Sequence, residues 1–189
     1  MKKQNGNDET KYRLADAVRE CMKTTPVSEI TVRQISEVSG ITRQTFYRHF
    51  LDRDDLINWY FDRLLDESFR QMGSGDTIRD GLRKKFAFIR KEALFFTAAF
   101  QSDTQNNLKE HDYQMILAFY KNKIREKTGG DPEEEILDLL EMYCQASVFK
   151  TVQWVLGGMR KSERAMAEIM IDAMPQKLTI LFTKLGFLQ

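Results

Sequence analysis

The chain has 189 residues, 42% of them hydrophobic and 30% charged, with a formal net charge of +1. That balance fits a soluble globular protein and excludes a disordered chain. It also excludes bulk positive charge as a route to nucleic acid, so any such binding must come from a local arrangement. Three prolines and ten glycines leave room for long helices and little room for many short strands. The pair Cys21 and Cys144 lie far apart with no metal spacing, which predicts two reduced, buried thiols and no metal site. No apolar run approaches the ~20 residues of a membrane span. The opening residues are polar and lack the apolar stretch of a signal peptide, so a cytoplasmic protein with no membrane partner is expected.

Residues 1 to 8 read as a frayed tail. From about Glu9 to Thr24, Leu14, Ala17, Val18, Cys21 and Met22 recur at spacings of three and four, which predicts a helix ended by Pro26. Thr31 with Gln34 three residues on is a capping box. The helix it opens is expected to turn Ile35 and Val38 inward and to stop at Ser39-Gly40, where glycine tolerates a left-handed backbone. Ile41 is then the buried residue of a tight turn. Thr42 caps a second short helix, Arg43 to about Phe50. Asp52 caps a long one through about Met72, with Leu56, Ile57, Tyr60, Leu64 and Phe69 inward.

After the break at Met72-Gly73-Ser74-Gly75-Asp76, helices are expected over Ile78–Glu92, Phe95–Ser102 and His111–Lys127, with a polar stretch at Asp103–Lys109. Asp131 reads as an N-cap with Pro132 at the first helical position. The helix that follows carries Ile136, Leu139, Leu140, Tyr143, Ser147, Thr151 and Trp154 on one face, up to Gly157-Gly158. Ser162 caps a last long segment with Met166, Ile169, Met170 and Ala173 on one face. Pro175 interrupts it, because proline has no amide to donate. Leu178, Leu181, Phe182 and Leu185 resume the apolar face. No alternating strand pattern and no internal repeat is present.

The run from Ile30 to Phe50 is therefore helix, glycine turn, helix. Phe46 and Phe50 hold the short second helix down, which leaves Arg43, Gln44, Thr45 and Tyr47 on the other side. Those side chains suit a groove better than a core: arginine pairs with guanine, glutamine with adenine, and threonine touches a thymine methyl. Between Arg33 and Arg53 four arginines face Glu37 and Asp52, a modest positive balance. A head of that kind needs two copies for useful affinity, which predicts a dimer on a palindromic site.

The stretch resembles the DNA-binding head of the tetracycline-repressor (TetR/AcrR) family. The likeness rests on Thr31, Ile35, Gly40-Ile41-Thr42, Phe46-Tyr47-Arg48-His49-Phe50 and Leu56, and spans about residues 10 to 60. Arg53 stands where that family usually has lysine, and Ser36 where it has a small alanine. The resemblance implies an all-α fold: a three-helix helix-turn-helix DNA-binding domain over residues 9–55, then a helical effector-sensing and dimerisation domain over 56–189. It implies that Thr31, Tyr47, His49 and Arg53 hold phosphates, helped by Arg33. Arg43, Gln44 and Thr45 would face base edges, with Thr42 at the groove entrance.

The second half is rich in aromatic and methionine side chains, among them Phe86, Phe95, Phe100, Tyr120, Met142 and Trp154. These read either as plain core or as the lining of an effector pocket, which the resemblance places in this domain. The last two long helices are the expected dimer surface. Phe149, Trp154, Gly157-Gly158 and Ser162-Glu163, with the segment Asp55–Tyr60, are similar to a subgroup that includes regulators of dihydroxyacetone-kinase operons.

The expected function is sequence-specific binding to double-stranded operator DNA by a homodimer, with affinity set by a small-molecule effector. The competing reading is a helical interaction module of the same fold without operator binding. No nucleophile elbow, phosphate-binding glycine loop, His-Glu-x-x-His or cysteine cluster is present, so no catalytic residue and no cofactor is expected.

Overall fold

The computed structural model describes residues 3–102 and 108–188, and all of the secondary structure described is helical. Ten α-helices follow one another among the described residues. They are α1 Lys3–Cys21, α2 Val32–Ser39, α3 Arg43–Phe46, α4 Arg53–Gly73, α5 Ile78–Lys91, α6 Ala93–Ser102, α7 Leu108–Thr128, α8 Glu134–Leu156, α9 Glu163–Asp172 and α10 Gln176–Lys184. A 3-10 turn, Val27–Glu29, sits between α1 and α2. Most of the polar stretch expected at 103–109 lies outside the described residues, and Leu108 already begins α7.

Two compact units divide the chain. The first comprises Met1–Leu64 and Ala93–Leu108; the second comprises Leu65–Glu92 and Lys109–Gln189. The division falls inside α4, and α6 joins the unit that holds the helix-turn-helix.

In the first unit, α1 packs on α2, and Leu14, Val18, Ile35, Phe46, Leu56 and Phe61 are all buried. A chain of rings runs through it. Phe46 lies 5.9 Å from Phe50, Phe50 lies 5.6 Å from Trp59, and Tyr60 meets the edge of Phe95 at 4.9 Å. Each such buried side chain contributes about 1.5–3 kcal/mol, which is how an α3 of four residues stays in place.

In the second unit, α5 packs along α9, and two arginines of α5, Arg79 and Arg83, share Glu168 of α9. Phe86 meets Trp154 edge-on at 5.4 Å, and Tyr120 stacks on Phe182 at 5.5 Å. The Tyr143 hydroxyl donates to the carbonyl of Met170 (2.8 Å), tying α8 to α9. One charged pair lies in this core: Lys85 Nζ is 3.6 Å from Asp112 Oδ1 and 4.0 Å from the centre of the Phe69 ring. The loop after α8 turns on Gly158 (φ 78°) and Met159 (φ 51°). It is held by Arg90, which donates to the carbonyls of Met159 (3.0 Å) and Lys161 (2.6 Å).

Several expected details are corrected. α1 begins at Lys3, well before Glu9, and ends at Cys21, so Thr24 lies in the turn beyond it. Val38 is exposed; in an eight-residue helix, Ile35 is the residue that fills the contact with its neighbours. α3 stops at Phe46, and Tyr47 to His49 continue as turns. Asp131 does not cap α8, whose N-cap is Glu133; the Asp131 carboxylate instead accepts from Arg125 at the end of α7. The segment after Ser162 is two helices, broken at Pro175 as its missing amide requires.

Candidate nucleic-acid interface

The local hydrogen bonds of the helix-turn-helix follow from its caps. Thr31 Oγ1 accepts from the Gln34 amide (3.2 Å), and Gln34 Oε1 accepts from the Thr31 amide (2.8 Å), closing a capping box at the start of α2. Gly40 ends α2 with φ 66°, a conformation a side chain resists, and Arg13 of α1 donates to the Ser39 carbonyl at 2.9 Å. Ile41 is buried beneath the turn. Thr42 then caps α3 by accepting from the Thr45 amide (3.1 Å), and the two threonine hydroxyls lie 3.0 Å apart. Phe46 and Phe50 point into the core, so the rest of α3 is left on the surface.

The residues expected to meet DNA, His49 apart, divide into two sets. Arg43, Gln44 and Tyr47 are exposed, and among the described residues their side chains make no hydrogen bond or ion pair. Arg48, which was not among the residues expected to meet DNA, is exposed in the same way. These groups are available to an incoming partner. The other set already has partners within the protein. Arg33 Nε donates to Glu37 Oε1 (2.8 Å), and the Thr31, Thr42 and Thr45 hydroxyls serve the caps. Arg53 Nη1 donates to the carbonyls of Val27 (2.8 Å), Ser28 (3.0 Å) and Ile30 (3.1 Å).

His49 is half-buried beside Phe50. Burial lowers its pKa from the ordinary imidazole value, and the charges of Lys11 and Arg48 lower it further. Lys11 comes from α1, with its ammonium 5.5 Å from the Phe50 ring and 5.4 Å from the Trp59 ring. A basic residue 38 positions earlier in the chain gave no sign in the sequence that it would stand beside His49.

Elsewhere, Cys21 and Cys144 are free and buried. Burial pushes the Cys144 thiol up to about 12. Among the described residues no group of three or more His, Cys, Asp or Glu is placed to hold a metal ion. No described helix is long and apolar enough to cross a membrane. The arrangement thus presents a short helix with exposed arginine, glutamine and tyrosine side chains that make no hydrogen bond or ion pair among the described residues.

Comparison with known proteins places these features. Residues 76–176 match the family described as the transcriptional regulator C-terminal region of the TetR type. The chain is 32% identical over 90 residues to the HTH-type dhaKLM operon transcriptional activator DhaS of Lactococcus lactis subsp. lactis (strain IL1403). That alignment covers 48% of each protein, so the chain spans about half the length of the curated relative it matches. Among solved structures, the dihydroxyacetone kinase operon activator DhaS superposes with a TM-score of 0.66 at 17% identity, covering 90% of this chain and 97% of that one. A TetR family transcription regulator from Marinobacter aquaeolei VT8 gives 0.57 at 17% identity, with the same coverage. At those identities the structures speak for the fold.

Proposed function

The chain belongs to the TetR family of transcriptional regulators, and on that premise we propose that it binds a palindromic operator in double-stranded DNA as a homodimer, with an affinity adjusted by a small-molecule effector. The observation that carries the reading is α3. Its exposed side chains Arg43 and Gln44, with Tyr47 just beyond, make no hydrogen bond or ion pair among the described residues, while the caps around them are satisfied. In the reading, Arg43, Gln44 and Thr45 meet base edges, with Thr42 at the groove entrance. Thr31, Arg33, Tyr47 and His49 meet phosphates. Arg33 and Thr31 would do so by sharing or exchanging the bonds they make in the free protein. Two heads are needed because one offers few free cations.

The effector part of the reading draws on the second unit. Its interior is aromatic, and among the described residues Asp112 Oδ1 is buried there with no hydrogen-bond partner, a position where a ligand's donor would be rewarded. The dimer part draws on an exposed apolar face of α8 and α10.

The test is a selection from random double-stranded DNA, followed by fluorescence anisotropy on the enriched sequence at several salt concentrations. An enriched palindrome bound by two subunits is expected. Arg43→Ala should relax base preference at one position of each half-site, by about 1–3 kcal/mol. Tyr47→Phe should weaken binding uniformly across sequences. Absence of any enriched sequence would overturn operator binding and favour a helical interaction module of the same fold.

A further inference from the structure

We propose that Arg53 is a positioning residue that locks the entry to the helix-turn-helix, and that it holds no phosphate in the operator complex. The proposal rests on the operator-binding reading above for its DNA arm alone. Arg53 is the first residue of α4. Its Nη1 reaches the carbonyls of Val27, Ser28 and Ile30, at 2.8, 3.0 and 3.1 Å. Nε and Nη2 both lie 2.8 Å from Asp54 Oδ1. A guanidinium carries five N–H groups in one plane, and this one has spent nearly all of them.

The Val27 carbonyl also accepts from the Ile30 amide (3.2 Å), which closes the 3-10 turn, and the carbonyls of Ser28 and Ile30 follow it at the end of the turn. Ile30 is also the residue immediately before Thr31, the N-cap of α2. One side chain therefore fastens the start of α4 to the turn and to the cap of α2. Helix α6 packs on that same turn. Beside the joint lies an open cleft of about 630 Å³, lined by Arg53, Ile57, Val27, Leu94 and Gln101 among others. Turning outward to a phosphate would strip three carbonyls of their charged donor and free the turn on which α2 is hung.

The two roles give different measurements. Arg53→Met is compared with the wild type in amide hydrogen exchange of the DNA-free protein, and in DNA affinity against salt. If Arg53 is the lock, exchange over residues 30–35 accelerates at least about tenfold, the pace expected when a local opening becomes easier. Specific binding falls more than non-specific binding, and the slope of log K against log salt stays at the wild-type value. If Arg53 is a phosphate ligand, exchange is unchanged, both kinds of binding fall together, and the slope drops by about 0.9; that result overturns the proposal. Should Arg53→Met fail to fold, Arg53→Lys serves in its place. The lock then predicts faster exchange over residues 30–35, because the bonds to Asp54 and the planar reach are lost. Wild-type exchange in that variant overturns it. If the wild type binds no DNA, the operator reading fails, and the exchange arm still decides the role of Arg53.

Discussion

Burial and the charges of Lys11 and Arg48 hold the His49 imidazole below its ordinary value, so it is neutral in the free protein at neutral pH. The sign of the consequences differs between folding and binding. In folding, the unfolded chain takes the proton first as pH falls through about 6.5, so this residue's contribution to stability is lost below that pH. In binding, a phosphate beside the ring would raise its pKa in the complex. Proton uptake would then accompany binding, and operator affinity should rise as pH is lowered from about 8 to about 6. His49→Gln should flatten that part of the profile, measured by anisotropy at fixed salt; an unchanged profile would remove His49 from the phosphate set. Lys85 and Asp112 make a different kind of residue-scale claim. Both are almost fully buried, and their charged atoms stand 3.6 Å apart. Among the described residues Asp112 Oδ1 has no hydrogen bond. The pair costs desolvation that a bond-poor geometry does not repay, but losing one partner leaves a bare buried charge. Lys85→Met alone should destabilise by about 3–5 kcal/mol in urea unfolding, and Lys85→Met with Asp112→Leu should recover most of that. A single variant within about 1 kcal/mol of wild type would show that water already reaches the site.

At the scale of elements, what the sequence made legible is what local hydrogen bonding decides. Thr31 with Gln34, Gly40, Thr42 and Ser162 stand at their helix ends as the spacing implied, because a cap needs only its own turn to form. Pro175 divides the last segment for an equally local reason. What was not legible is decided by contacts beyond a single turn. The bonds of Arg53 were not legible for that reason: the carbonyls it meets lie 23 to 26 residues earlier, and nothing in the sequence brings them to it. Asp131 has the right type for a cap and was drawn off by Arg125. α8 was the hardest to read, since it is apolar on two sides. Leu140, Tyr143, Cys144, Ser147, Thr151 and Trp154 face the core, while Met142 and Phe149 face outward. Periodicity identifies such a helix without saying which stripe is inside. Met142, grouped by sequence with the candidate core and pocket side chains, is 71% exposed. For the candidate interface, the sequence showed which side chains α3 carries and which two phenylalanines hold it down. It could not show that Arg33 is paired with Glu37 or that Lys11 stands by His49, because those follow from how helices meet.

The outer stripe of α8 bears on the molecule as a whole. Met142, Phe149 and Leu156 are spaced by seven, and are 71%, 65% and 43% exposed in the single chain. Ala146 and Gln153, also exposed, complete an alternation of four and three between them. That is the seam of a helix made to lie along another helix. Ile180 of α10 adds a fourth exposed apolar side chain at 61%. α10 packs on α8, and Lys177 pairs with Glu135 between them. Exposed apolar side chains of this kind are a liability unless they are covered. A twofold axis through it would bury two sets of four side chains. At about 1.5–3 kcal/mol for each fully covered side chain, partial exposure brings the gross gain to roughly 7–14 kcal/mol. The association cost is estimated at about 4–15 kcal/mol, so a stable dimer is within reach, though not by a wide margin. One charge at the centre should therefore be decisive. Phe149→Glu should run as a monomer in light scattering at micromolar concentration while its far-ultraviolet dichroism stays helical, and Phe149→Leu should remain dimeric. Operator affinity of the Glu variant should fall by at least about a hundredfold, since each head would then bind its half-site without the effective concentration its partner supplies. A Glu variant that stayed dimeric would move the interface off α8. One that became monomeric yet kept full operator affinity would mean that a single head suffices, and would remove the reason for a palindromic site.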